Sequence, residues 1–254
     1  MRILTLNYEY PPLGGGASPV VQAVCRQLAA QGDRVDVVTM AFRGLPDVEE
    51  EPNLRVLRVP CLRREKHICH GHELLSWMVT GYRRARRLVR AERYDLIHCH
   101  FFLPCGVVAR KLAQESGLPW VVTAHGSDVP GYNPDRFRAM HVFVHPFWKR
   151  VVRDATAITT GSRWLAGLVE RSYGGPVDVT IIPNGIDERW IRPGPGAKSI
   201  LFVSRLLRRK GAQFLLAAVA GLREDWQVHV VGDGPHRAEL EAIARRLPRR
   251  PTFH

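Results

Sequence analysis

The chain has 254 residues, a formal net charge of +13 and 45% apolar residues. That length suits one large domain or two modest ones, and no apolar run approaches the ~20 residues of a membrane-spanning helix. Met1 to Leu6 is too short an apolar run for a signal peptide and leads into Asn7-Tyr8-Glu9-Tyr10-Pro11-Pro12 without a small-residue cleavage pattern, so a cytoplasmic location is expected.

In chain order, the first strand pattern is Arg2–Leu6, followed by the loop Gly14-Gly15-Gly16-Ala17-Ser18-Pro19. Ser18 suits an N-cap and Pro19 the first helical position, with the helix running to Gln31 and stopped by Gly32. A loop of this kind opens amides toward an anion at a helix start, and the bland alternative is a packing turn. It does not match a dinucleotide fingerprint: the third glycine is missing and no acid ends the next strand, Arg34–Thr39.

Cysteines Cys25, Cys61, Cys69, Cys99 and Cys105 are odd in number and form no Cys-x-x-Cys pair, which predicts reduced thiols. His67, Cys69, His70 and His72, and later His98, Cys99, His100 and Cys105, are zinc-ligand types in a spacing that fits no standard zinc pattern. A loop and a buried strand end are the plainer reading.

From Leu74 to Arg93 the positions Leu74, Met78, Tyr82, Ala85, Leu88 and Val89 recur at helical spacing, with Arg83, Arg86, Arg87 and Arg90 on another side. This basic amphipathic helix reads either as a solvated surface face or as a peripheral contact with anionic membrane. Nucleic acid is not the expected partner, because the segment has no interleaved aromatics, zinc-finger pattern or RNA-binding signature.

Further strands are expected at Leu96–Cys99, Trp120–Ala124, Ala157–Thr160 and Val179–Ile182, with a helix at Gly106–Ser116 stopped by Gly117. The pattern is a doubly wound α/β domain with a parallel sheet. After the linker Pro193-Gly194-Pro195-Gly196, a second unit reads strand Ser199–Ser204, helix Ala212–Leu222, strand Gln227–Val231, helix Arg237–Leu247 and the start of another strand at Thr252-Phe253-His254.

The candidate site residues lie where strands end. His125 follows the buried strand Trp120–Ala124, with Gly126 and Asp128 just beyond, at the rim where ligands bind open α/β sheets, and on the residues alone a structural histidine capping the strand end is the plainer reading. Arg205 ends the strand at Ser199–Ser204 and Lys210 comes five residues on, two cations suited to a diphosphate. Arg208 and Arg209 either add to that field or face solvent. Gly232-Asp233-Gly234-Pro235 is either a nucleotide loop or a plain strand-to-helix turn. No Asp-x-Asp pair is present to hold a divalent ion against a diphosphate, so neither a metal nor another cofactor is expected.

The order of these signals resembles the family 4 glycosyltransferases: the glycine-rich loop, Asp95-Leu96-Ile97-His98, Thr123-Ala124-His125-Gly126-Ser127-Asp128, Pro183-Asn184-Gly185-Ile186-Asp187, then Ser204-Arg205 and Lys210-Gly211. The resemblance implies a GT-B fold. Residues 1–186 would form a Rossmann-like acceptor-side domain, 187–197 an interdomain linker and 198–254 part of a nucleotide-sugar-binding domain. It also implies transfer of a sugar from a nucleotide-diphosphate sugar to a glycan or lipid acceptor with retention of configuration, in polysaccharide or glycolipid biosynthesis. By the same resemblance His125, Arg205 and Lys210 are the catalytic candidates. Gly15, Gly16, Arg205, Lys210, Gly232 and Gly234 are expected at the donor, and Asp128, Asn184 and Gly185 at the acceptor or cleft.

A mononucleotide-binding half needs at least a βαβαβ unit with neighbours for its parallel strands. The second unit is short of that, and the resemblance leads one to expect a Glu-x7-Glu segment that does not occur before His254. The expectation is a truncated enzyme, and the alternative is a non-catalytic remnant or partner subunit binding nucleotide weakly or not at all.

Overall fold

The computed structural model describes residues 1–133, 138–188, 191, 194, 198–222 and 226–254, the side chains of residues 138–142 excepted. The linker read at Pro193-Gly194-Pro195-Gly196 lies outside the described residues apart from Gly194. The chain divides into two compact units, Met1–Ile186 and Asp187–His254.

The first unit holds strands β1 (Arg2–Leu6), β2 (Arg34–Met40), β3 (Val48–Glu51), β4 (Leu54–Val59), β5 (Leu96–His100), β6 (Trp120–Ala124), β7 (Ala157–Thr160) and β8 (Val179–Ile181). They form one sheet in the order β3-β4-β2-β1-β5-β6-β7-β8. All pairs are parallel except β3 with β4. Sequence periodicity missed the β3–β4 hairpin. Its outer strand, Val-Glu-Glu-Glu, is exposed and acidic, a composition that edge strands use to stay unpaired with other chains.

Helices α1 (Ala17–Ala30), α2 (Gly71–Ala91), α3 (Val107–Ser116), α4 (Arg138–Asp154) and α5 (Arg163–Tyr173) connect the strands. β1 and β6 are nearly continuous apolar runs because both sheet faces are covered, and the core gathers Leu4, Leu6, Val38, Trp77, Ile97, Phe102, Val122 and Trp148. Glycines stop two helices as expected: Gly32 (φ +95°) follows α1 and Gly117 (φ +72°) caps α3.

The start of α1 departs from expectation. Gly16 is the N-cap and Ala17 the first helical residue, which places Ser18 inside the first turn, 2% exposed and without a capping bond. The helix begins earlier because glycine tolerates the cap position once the Gly14 turn has aimed the chain into it. In α2 the buried seam is Glu73, Trp77, Gly81, Ala85 and Leu88. The Glu73 carboxylate accepts from the His70 amide at the N-cap (2.7 Å) and from the Arg64 amide (2.9 Å), so burial does not leave it unpaired.

The second unit has strands β9 (Ser199–Val203), β10 (Gln227–Val231) and β11 (Thr252–Phe253), all parallel in the order β11-β10-β9, with helices α6 (Ala212–Ala220) and α7 (Arg237–Ala244). Leu206, Ala212, Leu216, Val230, Leu240 and Ala244 form its core. Among the described residues no helix is long and apolar enough to cross a membrane.

Candidate active site

In the large sheet the connections leave β1 toward β2 and β5 toward β6, in opposite directions, so β1 and β5 flank the crevice where such sheets bind ligands. Tyr8 follows β1 and Phe101 follows β5, and their rings meet at 5.0 Å. Phe101 also meets the His125 ring at 4.8 Å, which makes a row of three rings across the carboxyl ends of β1, β5 and β6.

Phe101 has φ +72°, a left-handed conformation that a bulky side chain rarely adopts and that costs of the order of 1–3 kcal/mol. Its amide donates to the Thr123 carbonyl (2.9 Å), its own carbonyl accepts from Gly106 (3.1 Å), and the side chain is 3% exposed. The surroundings therefore hold it in place. The segment that follows, Phe102–Gly106, kinks at the extended Leu103 (φ −129°, ψ 134°) and leads into α3.

Asp128 ties this turn to the histidine loop. One carboxylate oxygen accepts from the Phe102 amide (2.7 Å), and the other accepts from the amides of Gly126 (3.0 Å) and His125 (3.2 Å). Burial pushes the Asp128 carboxyl up to about 6, and the amides oppose that rise without cancelling it. Gly126 has φ +112°, and a Cβ there would meet the Tyr132 ring at 2.4 Å, so glycine is required twice over.

Alternation along β5 puts His98 and His100 on one face of the sheet, and register sets His100 beside Thr123 of β6. His100 Nδ1 pairs with His125 Nε2 at 3.1 Å, and His98 Nε2 pairs with the Thr123 hydroxyl (2.8 Å), which in turn bonds Thr159 (2.8 Å). Burial holds His98 and His125 down to about 4 and His100 well below the usual imidazole range, with neighbouring imidazoles adding to the effect on His100 and His125. All three rings are neutral at pH 7. Among the described residues no group of three or more histidine, cysteine or acidic side chains is arranged to hold a metal ion, and all five cysteines are free.

The glycine-rich loop presents a mixed picture. Gly14 has φ +102° and donates to the Lys66 carbonyl, while the Gly15 amide donates to a Glu9 carboxylate oxygen at 3.2 Å. A carboxylate of the chain itself thus occupies part of the anion-attracting helix start. The Gly16 amide has no partner among the described residues, and a Cβ on Gly15 or Gly16 would meet nothing within 4 Å, so that edge of the loop is open. Asn184 is exposed beside Gly161 at the end of β7, with its side-chain oxygen 3.8 Å from a Cβ built there, and Gly185 is exposed.

In the second unit Arg205 and Lys210 are exposed, and neither side chain makes a hydrogen bond or ion pair with a described residue. Their loop is fixed by its backbone. The Leu206 amide donates to the Asp233 carbonyl (2.8 Å), the Leu206 carbonyl accepts from the His236 amide (3.0 Å), and the Leu206 side chain is fully buried in the core with Ala212, Leu216, Val230 and Leu240. A Cβ on Gly232 (φ +132°) would lie 2.1 Å from the Ser204 carbonyl oxygen, and one on Gly234 (φ +156°) 2.5 Å from that of Leu206. These glycines are therefore needed for close backbone packing that shapes the cationic loop. Arg208 and Arg209 are exposed in a short 3-10 turn, Arg208–Lys210.

On the first unit, α2 and α3 enclose a groove of about 650 Å³ lined by Met78, Tyr82, Arg83, Arg86, Arg90 and Lys111. Arg83, Arg87 and Arg90 are exposed and make no ion pair with described residues, whereas Arg86 is held by Glu115 at 2.9 Å.

Of the residues expected from sequence, the first unit brings together His125 and Asp128, and the second packs Gly232 and Gly234 against the backbone on either side of Arg205, with Lys210 five residues further along the chain. Tyr8, Glu9 and Phe101 carry no site signal in the sequence, and His100 is visible there only as a zinc-ligand type.

Residues 14–190 match the model of glycosyltransferase family 4, and residues 197–254 match that of the group 1 glycosyl transferases. The 2-deoxystreptamine glucosyltransferase of Streptomyces kanamyceticus is 30% identical over 247 aligned residues, covering 85% of this chain and 63% of that protein. A glycogen synthase of Mycobacterium tuberculosis is 29% identical over 269 aligned residues, covering 97% of this chain and 65% of its own length. The chain thus spans a little under two thirds of the length of these relatives.

Among solved structures, sucrose-phosphate synthase from Thermosynechococcus elongatus superposes with a TM-score of 0.82 at 23% identity, over 100% of this chain and 70% of that one. Anabaena HepE in complex with UDP and glucose gives 0.71 at 19% identity, over 100% and 68%. These likenesses establish the GT-B architecture.

Proposed function

Because this chain belongs to glycosyltransferase family 4, we propose that it moves a sugar from a nucleotide-diphosphate sugar to a glycan or lipid acceptor with retention of anomeric configuration. The observation that carries this reading is the pair of exposed cations, Arg205 and Lys210, without acidic partners among the described residues, on a loop whose backbone is laced by hydrogen bonds and close glycine contacts. A cation neutralised by a neighbouring carboxylate has little left for a ligand, whereas these two retain their full attraction for a diphosphate.

In this mechanism the bond between the anomeric carbon and the diphosphate oxygen breaks as negative charge gathers on the leaving group. Arg205 and Lys210 stabilise that charge and act most strongly where it is greatest, in the transition state. No metal is required for this role, since fixed cationic side chains supply it. The sugar develops oxocarbenium character, so the residues near it serve to orient rather than attack. His125, neutral at pH 7, suits a hydrogen bond to a sugar hydroxyl. Asp128, buried and with both oxygens engaged, orders the loop by accepting from the His125 and Gly126 amides and from Phe102. The open side of Gly15 and Gly16, and the exposed Asn184 and Gly185, serve substrate approach.

Arg83, Arg87 and Arg90 complete the proposal as a peripheral contact with anionic lipid headgroups on the cytoplasmic face, where glycolipid or polysaccharide acceptors are assembled. Salt-sensitive co-sedimentation with phosphatidylglycerol vesicles tests that part.

The donor site is tested by thermal unfolding with UDP, GDP or ADP. A ligand at 100 times its dissociation constant that binds only the native state adds about 2.7 kcal/mol, and UDP, present in the HepE complex, is the first to try. At least one nucleotide is expected to raise the unfolding temperature in wild type and not in Arg205→Ala/Lys210→Ala. No shift with any of the three defeats the donor assignment.

A further inference from the structure

His100 is 1% exposed and has a single hydrogen bond for its two ring nitrogens: Nδ1 pairs with His125 Nε2 at 3.1 Å, and Nε2 is buried without a partner. Both rings are neutral, so only one proton lies between them and two arrangements exist. In the first, His100 Nδ1–H donates to a bare His125 Nε2, leaving His100 Nε2 as a buried lone pair and His125 with its proton on Nδ1. In the second, His125 Nε2–H donates to a bare His100 Nδ1, which forces the proton of His100 onto its buried, unpartnered Nε2. Buried orphan N–H groups are rarer in proteins than under-satisfied acceptors, so the first arrangement is favoured.

We infer that His100 is a positioning residue that fixes His125 as its Nδ1–H tautomer, so that the ring offers an N–H donor at the carboxyl end of β6 instead of a bare nitrogen. An N–H donor suits sugar hydroxyl and phosphate oxygens, whereas a bare imidazole nitrogen repels the latter. The surroundings make the choice durable. His98 is held by Thr123, itself bonded to Thr159, and its ring is 4.3 Å from that of His100; Phe101 packs on His125 at 4.8 Å, and Asp128 holds the His125 amide. His100 therefore has little freedom to turn and exchange its nitrogens.

The importance of a fixed donor at His125 rests on the transferase reading, but the tautomer itself is measured without substrate. Long-range proton–nitrogen correlation spectra of the ¹⁵N-labelled chain at pH 7 report which ring nitrogen carries the proton, and the signals of His125 are those missing in His125→Gln. The wild type is expected to show protonated Nδ1 and bare Nε2 at His125. His100→Leu removes the donor and should move His125 toward the Nε2–H form that a free imidazole side chain favours, whereas His100→Asn, whose amide places an N–H near the position of Nδ1, should restore the wild-type pattern. Protonated Nε2 at His125 in the wild type overturns the inference, and so does an unchanged pattern in His100→Leu. Should His100→Leu not fold, the wild-type spectrum alone decides. A failure to bind nucleotide with the expected tautomer in place would count against the transferase reading and leave this inference standing.

Discussion

Replacing Asp128 by alanine separates two opposing contributions of one buried carboxyl. The side chain accepts hydrogen bonds from three amides, of which Phe102 and Gly126 are buried and His125 is partly exposed. An orphaned buried donor costs about 1–3 kcal/mol, so the loss of all three sums to roughly 4–6 kcal/mol. Against this, the wild type bears the cost of an ionised carboxylate in a dry site. Its carboxyl titrates at about 6 instead of the ordinary 3.8, which at roughly 1.4 kcal/mol per pH unit amounts to about 3 kcal/mol above pH 6. At pH 7 the substitution therefore costs a net ~1–3 kcal/mol. Because the folded state holds the Asp128 proton more tightly than the unfolded state does, this carboxyl lowers stability as pH rises from about 4 to 6. The alanine variant lacks that slope, so the gap between wild type and variant should widen toward acid and approach 4–6 kcal/mol near pH 4.5. Urea unfolding of both proteins at pH 7 and pH 4.5 measures the gap, and titration of the histidines, common to both, largely cancels in the difference. A gap that is flat or narrows toward acid would refute the account of Asp128.

The buried imidazoles impose the reverse trend. With folded values of about 4 for His98 and His125, protonation strains the fold as pH falls from about 6.5 toward 4, at up to roughly 3 kcal/mol per ring, and His98→Asn should flatten that part of the stability–pH curve. Arg205→Ala and Lys210→Ala should each leave unfolding within about 0.5 kcal/mol of wild type, since neither side chain has a partner among the described residues, yet cost about 2–5 kcal/mol in transfer; unchanged turnover in both would remove them from the mechanism. Gly234→Ala should destabilise the second unit by more than about 2 kcal/mol, because the new Cβ meets a backbone oxygen at 2.5 Å and φ is +156°; hydrogen exchange of the β10 amides would report it, and unaltered protection would contradict the close-packing role. Exchanging Arg83, Arg87 and Arg90 together for glutamine should abolish vesicle binding at low salt without changing Tm, and retained binding would move the membrane contact elsewhere.

Much of the fold was legible because its central strands are apolar runs closed by punctuation. Arg2–Leu6, Trp120–Ala124 and Ala157–Thr160 were read with their observed bounds, and Gly32 and Gly117 marked helix ends through their positive φ. The β3–β4 hairpin was not legible, since Val48-Glu49-Glu50-Glu51 has neither apolar alternation nor a turn of the commonest hairpin type. α4 carries Pro146 in its interior, a residue that ordinarily argues against a helix. Ser18 was misplaced as a cap because its side chain suits that position, whereas the turn at Gly14 decides where the helix starts.

The site divides along a similar line. Candidates such as His125 and Arg205, which come just after a strand, and Lys210, in the turn that follows, are reached by counting from the strand. Residues that matter through what they hold cannot be found that way. Phe101 looks like core until its φ of +72° turns its ring onto His125, and His100 looks like a metal ligand until the β5–β6 register sets its nitrogen against that of His125. Both depend on contacts about 25 residues apart in sequence that only parallel pairing creates. The register is therefore as much a part of this site as the side chains. A one-residue slip of β5 against β6 would turn His98 and His100 to the other face of the sheet, leave His125 Nε2 unpaired and remove the acceptor that holds the Phe101 amide.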